Sequence, residues 1–314
     1  MRPADDFELV PDHLTVVRDL GQRESVKPWL AELPTMIRHV RDAFGLKLFP
    51  PMDGGYCSWV APAETPDGAH VVVKITWPHR EMYGEADALR AWRDHGAVEV
   101  VDADPMRHAL ILRRCEPGLP LDASPLPALQ RLEIACAALR RLWDIDASAL
   151  DATFETAFDI TNWWADEADE RAARIAHPFD GGLIAEGIDH LRTLPSTASR
   201  GVLLHGDYNP GNLLSDADGR WTVIDPKPMI GDPAFDPWPL VRQIDDPFDH
   251  ADTAAVLRDR LRFLADQLDL DADRIRAWGI GHAVSSVLFD LDGGDPAEAE
   301  AFMREADILA RLRL

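Results

Sequence analysis

Residues 203–228 read LLHGDYNPGNLLSDADGRWTVIDPKP, short apolar runs of β character set inside a region of helical periodicity. An Asp, an Asn and a second Asp stand at the ends of those runs. NLLS and WTVID, joined by the turn SDADG, pair as a hairpin, and the pairing carries Asn212 and Asp225 to the same end of it. A carboxylate and an amide oxygen held together suit Mg²⁺, which accepts few protein ligands and fills its octahedron with water and phosphate oxygens. Asp207 lies just upstream and is free to act as a general base. A plain turn between two strands also uses Asn, Asp, Gly and Pro, so the rest of the chain has to decide.

The part before residue 115 is built differently. KPWLAELPTMIRHVRDAFGL spaces its apolar residues as a helix around Pro34, predicting one kinked helix or two short ones. YCSWVAPA, the turn TPDG and HVVVKIT then predict a hairpin. A helix is predicted from His79 to Asp94, with Ala88, Leu89 and Trp92 on its apolar face, and AVEVVDAD and ALILRRC predict two further strands. The result is a sheet of four strands with one helix inserted. EPGLPLDASPLP, with its four prolines, reads as a hinge or linker. Helices are then expected over 127–145, 159–176, 250–268, 271–290 and 296–313. The division is therefore 1–115 as an N-terminal lobe, 116–126 as the linker and 127–314 as a helical C-terminal lobe.

Lys74 sits in VVVKIT among β-branched residues, where an ammonium needs a partner, and the following helix offers Glu85. A strand Lys, a helix Glu, and a distal Asp, Asn and metal-binding Asp in that order form the arrangement used for phosphoryl transfer. Each element alone has an ordinary reading as a surface Lys or a solvated Glu. Together and in order they point to a kinase.

HGDYNPGN followed by VIDPKPMIGDPAFD resembles the catalytic and metal segments of the aminoglycoside phosphotransferase superfamily, in its streptomycin 6-phosphotransferase and hydroxyurea-resistance branch. The likeness extends over Lys74, EADALRAW, LRRCEPG and the closing AWGIGHAVSSVLFD. It implies an α+β, two-lobed, protein-kinase-like fold with ATP between the lobes. It also implies Asp207 as catalytic base, Asn212 and Asp225 as Mg²⁺ ligands, Lys74 on the α- and β-phosphates and Glu85 as its orienting partner. His205 is then structural, and residues from Leu112 to Cys115, including Arg113, present backbone groups to adenine.

Gly206 stands where eukaryotic protein kinases carry an Arg that reads a phosphorylated activation loop, so control by such a loop is not expected. Pro226 and Lys227 replace the Phe-Gly of the protein-kinase metal motif. Little chain follows Asp225 before the next helix, which leaves no long segment for a protein substrate. Gly54 and Gly55 in DGGYCSWV are the candidates for the loop over the phosphates, although neither GxGxxG nor a Walker A motif is present. Lys227 is placed to touch the γ-phosphate, or else to serve at the surface.

Asp232, Asp236, Trp238, Asp245 and Asp246, with Asp249 beyond them, suggest an acidic and aromatic wall for a cationic acceptor. Asp before Pro also caps helices, and the remaining acids also suit a solvated face. The net charge of −23 argues against nucleic acid and anionic membranes, and no apolar run is long enough to span a bilayer. Cys57, Cys115 and Cys136 form neither a disulfide framework nor a zinc pattern, as expected of a soluble cytoplasmic protein. The expected activity is ATP- and Mg²⁺-dependent transfer of a phosphoryl group to a hydroxyl of a small molecule, first a streptomycin-type aminocyclitol. Hydroxyurea, a biosynthetic metabolite or a modified peptide are alternatives, and a nucleotide-binding pseudokinase scaffold is the alternative from another class.

Overall fold

The computed structural model describes residues 7–150 and 152–314. A short helical turn α1 (Thr15–Arg18) leads into α2 (Lys27–Phe44), whose buried residues Trp29, Leu33, Ile37 and Val40 recur at helical spacing. Pro34 lies within α2 and the helix runs on through it as a single element, so of the two expected alternatives the chain forms one helix and not two. Gly45, at φ 66°, ends it by returning its N–H to Arg41.

An antiparallel sheet of five strands follows: β1 (Lys47–Leu48), β2 (Ser58–Glu64), β3 (His70–Thr76), β4 (Val100–Asp104) and β5 (Ala109–Arg113), in the spatial order β1-β2-β3-β5-β4. Lys74 pairs with Val60 on one side and Leu110 on the other. The two-residue alternation of a strand sends Val71, Val73 and Ile75 into a core shared with α2. Val72 and Lys74 therefore point the other way, toward the second lobe.

The helix expected from His79 to Asp94 is shorter. A single 3₁₀ turn spans Arg80–Met82, Gly84 adopts φ 88°, and α3 covers only Glu85–Ala91. Phe154 and Pro228 lie 3.1–3.2 Å from where a Gly84 Cβ would stand, so packing against the second lobe interrupts the helix.

The proline-rich linker is pinned rather than loose. Gly118 N–H donates to Ser215 O at 3.0 Å, Ser215 N–H to Leu119 O at 2.8 Å and Leu121 N–H to Leu213 O at 2.9 Å. The second lobe contains α4 (Ala128–Trp143), α5 (Ala157–Arg174) and α6 (Gly181–Thr193), then β6 (Val202–Leu204), β7 (Leu213–Ser215), β8 (Trp221–Val223) and β9 (Met229–Gly231). It closes with α7 (Trp238–Gln243), α8 (Thr253–Leu268), α9 (Ala272–Gly293) and α10 (Pro296–Arg311). The expected hairpin is β7–β8, with Leu213 opposite Val223. β6 pairs instead with β9, a strand the sequence pattern did not reveal. α6 was also unforeseen, while α7 is the helix expected shortly after Asp225. Within α6, Gly187 lies against Val284 of α9, leaving no room for a Cβ. No helix among the described residues is long and apolar enough to cross a membrane.

Candidate active site

A cavity of about 560 Å³ opens between the sheet and the β7–β8 hairpin. Gly54, Gly55, Arg113 and Cys115 border it, as do Lys74, Glu85, Asn212 and Asp225. All of the residues expected around nucleotide and metal, except Lys227, are thus brought to one cleft. Gly55 is held close to the chain, since a Cβ there would lie 2.4 Å from Ser58 O. The Arg113 guanidinium turns away to pair with the buried Asp216 and keeps that carboxyl below the usual range.

The Lys74 ammonium donates to Glu85 Oε1 at 2.6 Å and to Asp225 Oδ1 at 2.5 Å. Burial acts to lower the Lys74 pKa, but Asp225 and Glu85 outweigh it and the ammonium is held above its ordinary value. Burial would raise the Asp225 carboxyl, yet Lys74 and then Lys227 hold it well below the usual carboxylate range. For Glu85 burial wins over Lys74, and its pKa is raised. Asp225 itself adopts φ 56°, rare for a residue with a side chain. Ile224 N–H donates to Asn212 O at 3.0 Å, extending the hairpin so that Asn212 and Asp225 stand together.

The loop carrying Asp207 hangs from β6. His205 is buried; its Nε2 meets Ile224 O at 2.9 Å and its Nδ1 accepts from Asp207 N–H at 3.3 Å. Burial pushes the imidazole down to about 4, so it is neutral and fixed as a structural strut. Gly206 has φ 78°, and a Cβ there would fall 1.9 Å from Lys227 O. The Asn212 amide donates to Asp207 O at 2.9 Å, which leaves its Oδ1 as the free oxygen. Asn209, not singled out from the sequence, donates to Asp207 Oδ1 at 3.0 Å, and Lys227 donates to Asp207 Oδ2.

A second cavity, of about 360 Å³, lies over Asp207. Lys227, Glu81, Trp164, Phe235 and His282 contribute to its wall. None of these except Lys227 was assigned a site role from sequence; VIDPKPMIGDPAFD contains Phe235 and AWGIGHAVSSVLFD contains His282, but neither segment gave a reason to single them out.

Of the acidic and aromatic wall expected beyond residue 230, only Asp236 reaches that cavity. Asp232 is buried and accepts from Trp278 Nε1 at 2.7 Å, Arg274 Nε at 2.6 Å and Ala234 N–H at 3.1 Å. Asp236 is fully buried beneath the Asp207 loop. It accepts from His205 N–H at 3.0 Å, Gly206 N–H at 2.9 Å and Trp143 Nε1 at 3.3 Å, and burial pushes its pKa up to about 6. It touches the cavity wall with its oxygens already engaged, and so positions the loop. Trp238 is buried against Gly279. Asp245 pairs with His250 at 3.2 Å, Asp246 caps Phe248 N–H at 2.9 Å and Asp249 is exposed; none of the three borders the cavity.

Residues 50–294 match the model of the aminoglycoside/hydroxyurea antibiotic resistance kinase family. The chain belongs to that family. Among its relatives is the streptomycin 6-kinase of Streptomyces glaucescens, 28% identical over 289 residues and 92% of each chain. The streptomycin 6-kinase of Streptomyces griseus is 26% identical, covering 98% of this chain and 99% of its own. The hydroxyurea phosphotransferase of Kitasatospora aureofaciens is 28% identical over 88% of this chain and 78% of its own. Membership makes this antibiotic resistance kinase relative a phosphotransferase. Its fold is the two-lobed, protein-kinase-like one. A structure of aminoglycoside phosphotransferase APH(4)-Ia with AMP-PNP and hygromycin B superposes with a TM-score of 0.61, 18% identity and coverage of 87% of this chain and 97% of that one. Choline kinase LicA from Streptococcus pneumoniae gives 0.61 at 15% identity, covering 88% and 99%.

Proposed function

We propose that this kinase transfers the γ-phosphoryl group of ATP to a hydroxyl of a streptomycin-type aminocyclitol. The supporting observation is the position of Asp207. Its carboxylate faces the smaller cavity, while its backbone carbonyl is bonded to Asn212, which borders the larger cleft beside Asp225. Nucleotide in the cleft and acceptor in the cavity would therefore meet at one residue.

In this reading Lys74, steadied by Glu85, binds the α- and β-phosphates, and Gly54, Gly55 and backbone near Arg113 and Cys115 hold the remainder of the nucleotide. Asn212 and Asp225 would hold Mg²⁺. Their fit rests on donor chemistry: one free amide oxygen and one carboxylate kept ionised, both hard oxygen donors side by side. The metal, when bound, supplies charge stabilisation at the transferring phosphoryl group. Asp207 accepts the proton of the attacking hydroxyl. Lys227, bonded to Asp207 and two residues from Asp225, supplies positive charge between base and phosphate. Glu81, without an ion-pair partner among the described residues, gives the acceptor cavity its preference for a cation.

Incubation with ATP, Mg²⁺ and either streptomycin, other aminoglycosides or hydroxyurea, followed by mass spectrometry, tests the reading. Streptomycin should gain one phosphoryl group. Modification of hydroxyurea alone would replace the acceptor, and ATP-dependent modification of none would overturn the proposal.

A further inference from the structure

Most residues of AWGIGHAVSSVLFD are explained by packing in α9. Trp278, Ile280, Val284, Val287 and Leu288 are buried, and Gly279 lets the Trp238 ring lie on the helix. His282 is not explained in this way. It borders the cavity over Asp207, its ring 4.7 Å from that of Phe235 and 5.7 Å from that of Trp164. Its Nε2 is buried without a hydrogen-bond partner. Three other side-chain atoms share that condition among the described residues, on Trp29, Arg131 and His177, and none of those residues borders this cavity. Nδ1 of His282 also lacks a partner among the described residues but is not sealed from the surface, so the ring keeps one open polar edge.

Burial pushes this imidazole down to about 4, against the pull of Asp207. At neutral pH it carries one N–H and one lone pair, neither matched by the protein. If packing were its only task, a phenyl ring would fill the same place without a stranded polar atom. Nε2 is sealed from solvent, so the atom that a group entering the cavity can meet is the open Nδ1.

We infer that His282 is a specificity-determining residue for the acceptor: the Nδ1 edge of its neutral imidazole hydrogen-bonds a hydroxyl or amine adjacent to the hydroxyl presented to Asp207, while Trp164, backed by the buried Phe235, packs on the apolar face of the acceptor ring. The inference rests on the phosphotransferase reading above and narrows it to polyhydroxylated rings. A ring offers a neighbouring polar group at fixed distance from the reacting hydroxyl. Its C–H face suits the Trp164 ring.

The test compares wild type with His282→Phe and His282→Gln, using streptomycin at saturating Mg·ATP, with the KM for ATP and the melting temperature measured alongside. His282→Phe should raise the streptomycin KM about tenfold or more, the usual consequence of leaving a polar substrate group unmatched. Its KM for ATP should be unchanged, and its melting temperature equal to or above that of wild type. His282→Gln, which restores a hydrogen-bonding group, should recover most of the lost affinity. A folded His282→Phe enzyme with a wild-type streptomycin KM would overturn the inference and leave the phosphotransferase reading intact. If His282→Phe does not fold, nitrogen resonances of labelled histidine in wild type decide: those of His282 should shift when streptomycin binds, and unmoved resonances would overturn it. Absence of streptomycin phosphorylation by wild type would overturn the aminocyclitol reading, and this inference with it.

Discussion

The Lys227 ammonium donates to Oδ2 of Asp207, so the base proposed for the acceptor hydroxyl has its charge paired from the opposite side of the loop. Burial acts to neutralise Lys227, but Asp225 and Asp207 outweigh it and keep the ammonium charged. Asn209 engages the other oxygen at 3.0 Å. The carboxylate is thereby oriented before any acceptor arrives.

Asp207→Asn should reduce kcat by about 10²- to 10⁴-fold while calorimetric titration still detects Mg·ATP binding. Lys227→Met should reduce kcat by about 10²-fold, the usual scale for removing one preorganised donor. Because the two act as a unit, the double variant should be little worse than Asp207→Asn. Losses that multiply would show that Lys227 acts independently of Asp207.

Gly206→Ala is expected to destabilise the protein by more than about 2 kcal/mol, because strained backbone and overlap act at the same position. The residue has φ 78°, and the added Cβ would meet Lys227 O at 1.9 Å. The Arg found here in eukaryotic protein kinases cannot occupy this backbone. Chemical denaturation is the measurement, and a wild-type midpoint would show that the loop can move aside.

Salt should separate the two acidic groups considered for the acceptor. Glu81 borders the cavity and accepts from Trp164 Nε1 at 3.2 Å, whereas Asp245 lies off it. At saturating Mg·ATP the streptomycin KM should rise with ionic strength as screening shortens to about 10 Å at 0.1 M. Glu81→Gln should flatten that slope and raise KM about fivefold at low salt. Asp245→Asn should behave as wild type; the reverse pattern would restore the region after residue 240 as the acceptor wall.

Stability should fall on acidification. His205 and His282 are both pushed down to about 4 from an ordinary 6.5. The folded protein then binds fewer protons than the unfolded chain across that interval. The contribution is complete above pH 6.5 and is lost as pH falls toward 4, by up to about 3 kcal/mol for His205. Asp236 opposes this, since burial pushes it up to about 6 from 3.8, and its effect weakens the folded state as pH rises through that window. Among these three groups the two histidines outweigh the carboxylate, which leaves a net loss from them at low pH. In denaturation midpoints from pH 7 to 4, His282→Phe should show a distinctly shallower decline; an undiminished decline would mean that the ring titrates normally.

Much of the cleft was legible because short-range geometry encodes it. VVVKIT alternates, so Lys74 must oppose Val73 and Ile75, and NLLS with WTVID fixes a hairpin that sets Asn212 beside Asp225. Glu85 was legible as the partner of Lys74, although the helix holding it is shorter than its periodicity suggested. Gly84 turns the chain there only because Phe154 and Pro228 press against it.

The sequence by itself determined the two-lobed division of pattern and the order of Lys74, Glu85, Asp207, Asn212 and Asp225, since each depends on residues a few positions apart. Tertiary structure alone decided the cavity proposed for the acceptor. Glu81 and Trp164 meet across 83 positions, and Phe235 and His282 join them from two further segments. No local period records such meetings. The same packing turned Asp232 and Asp236 inward, where buried N–H groups require acceptors and a carboxylate next to Pro serves them better than it would serve a ligand.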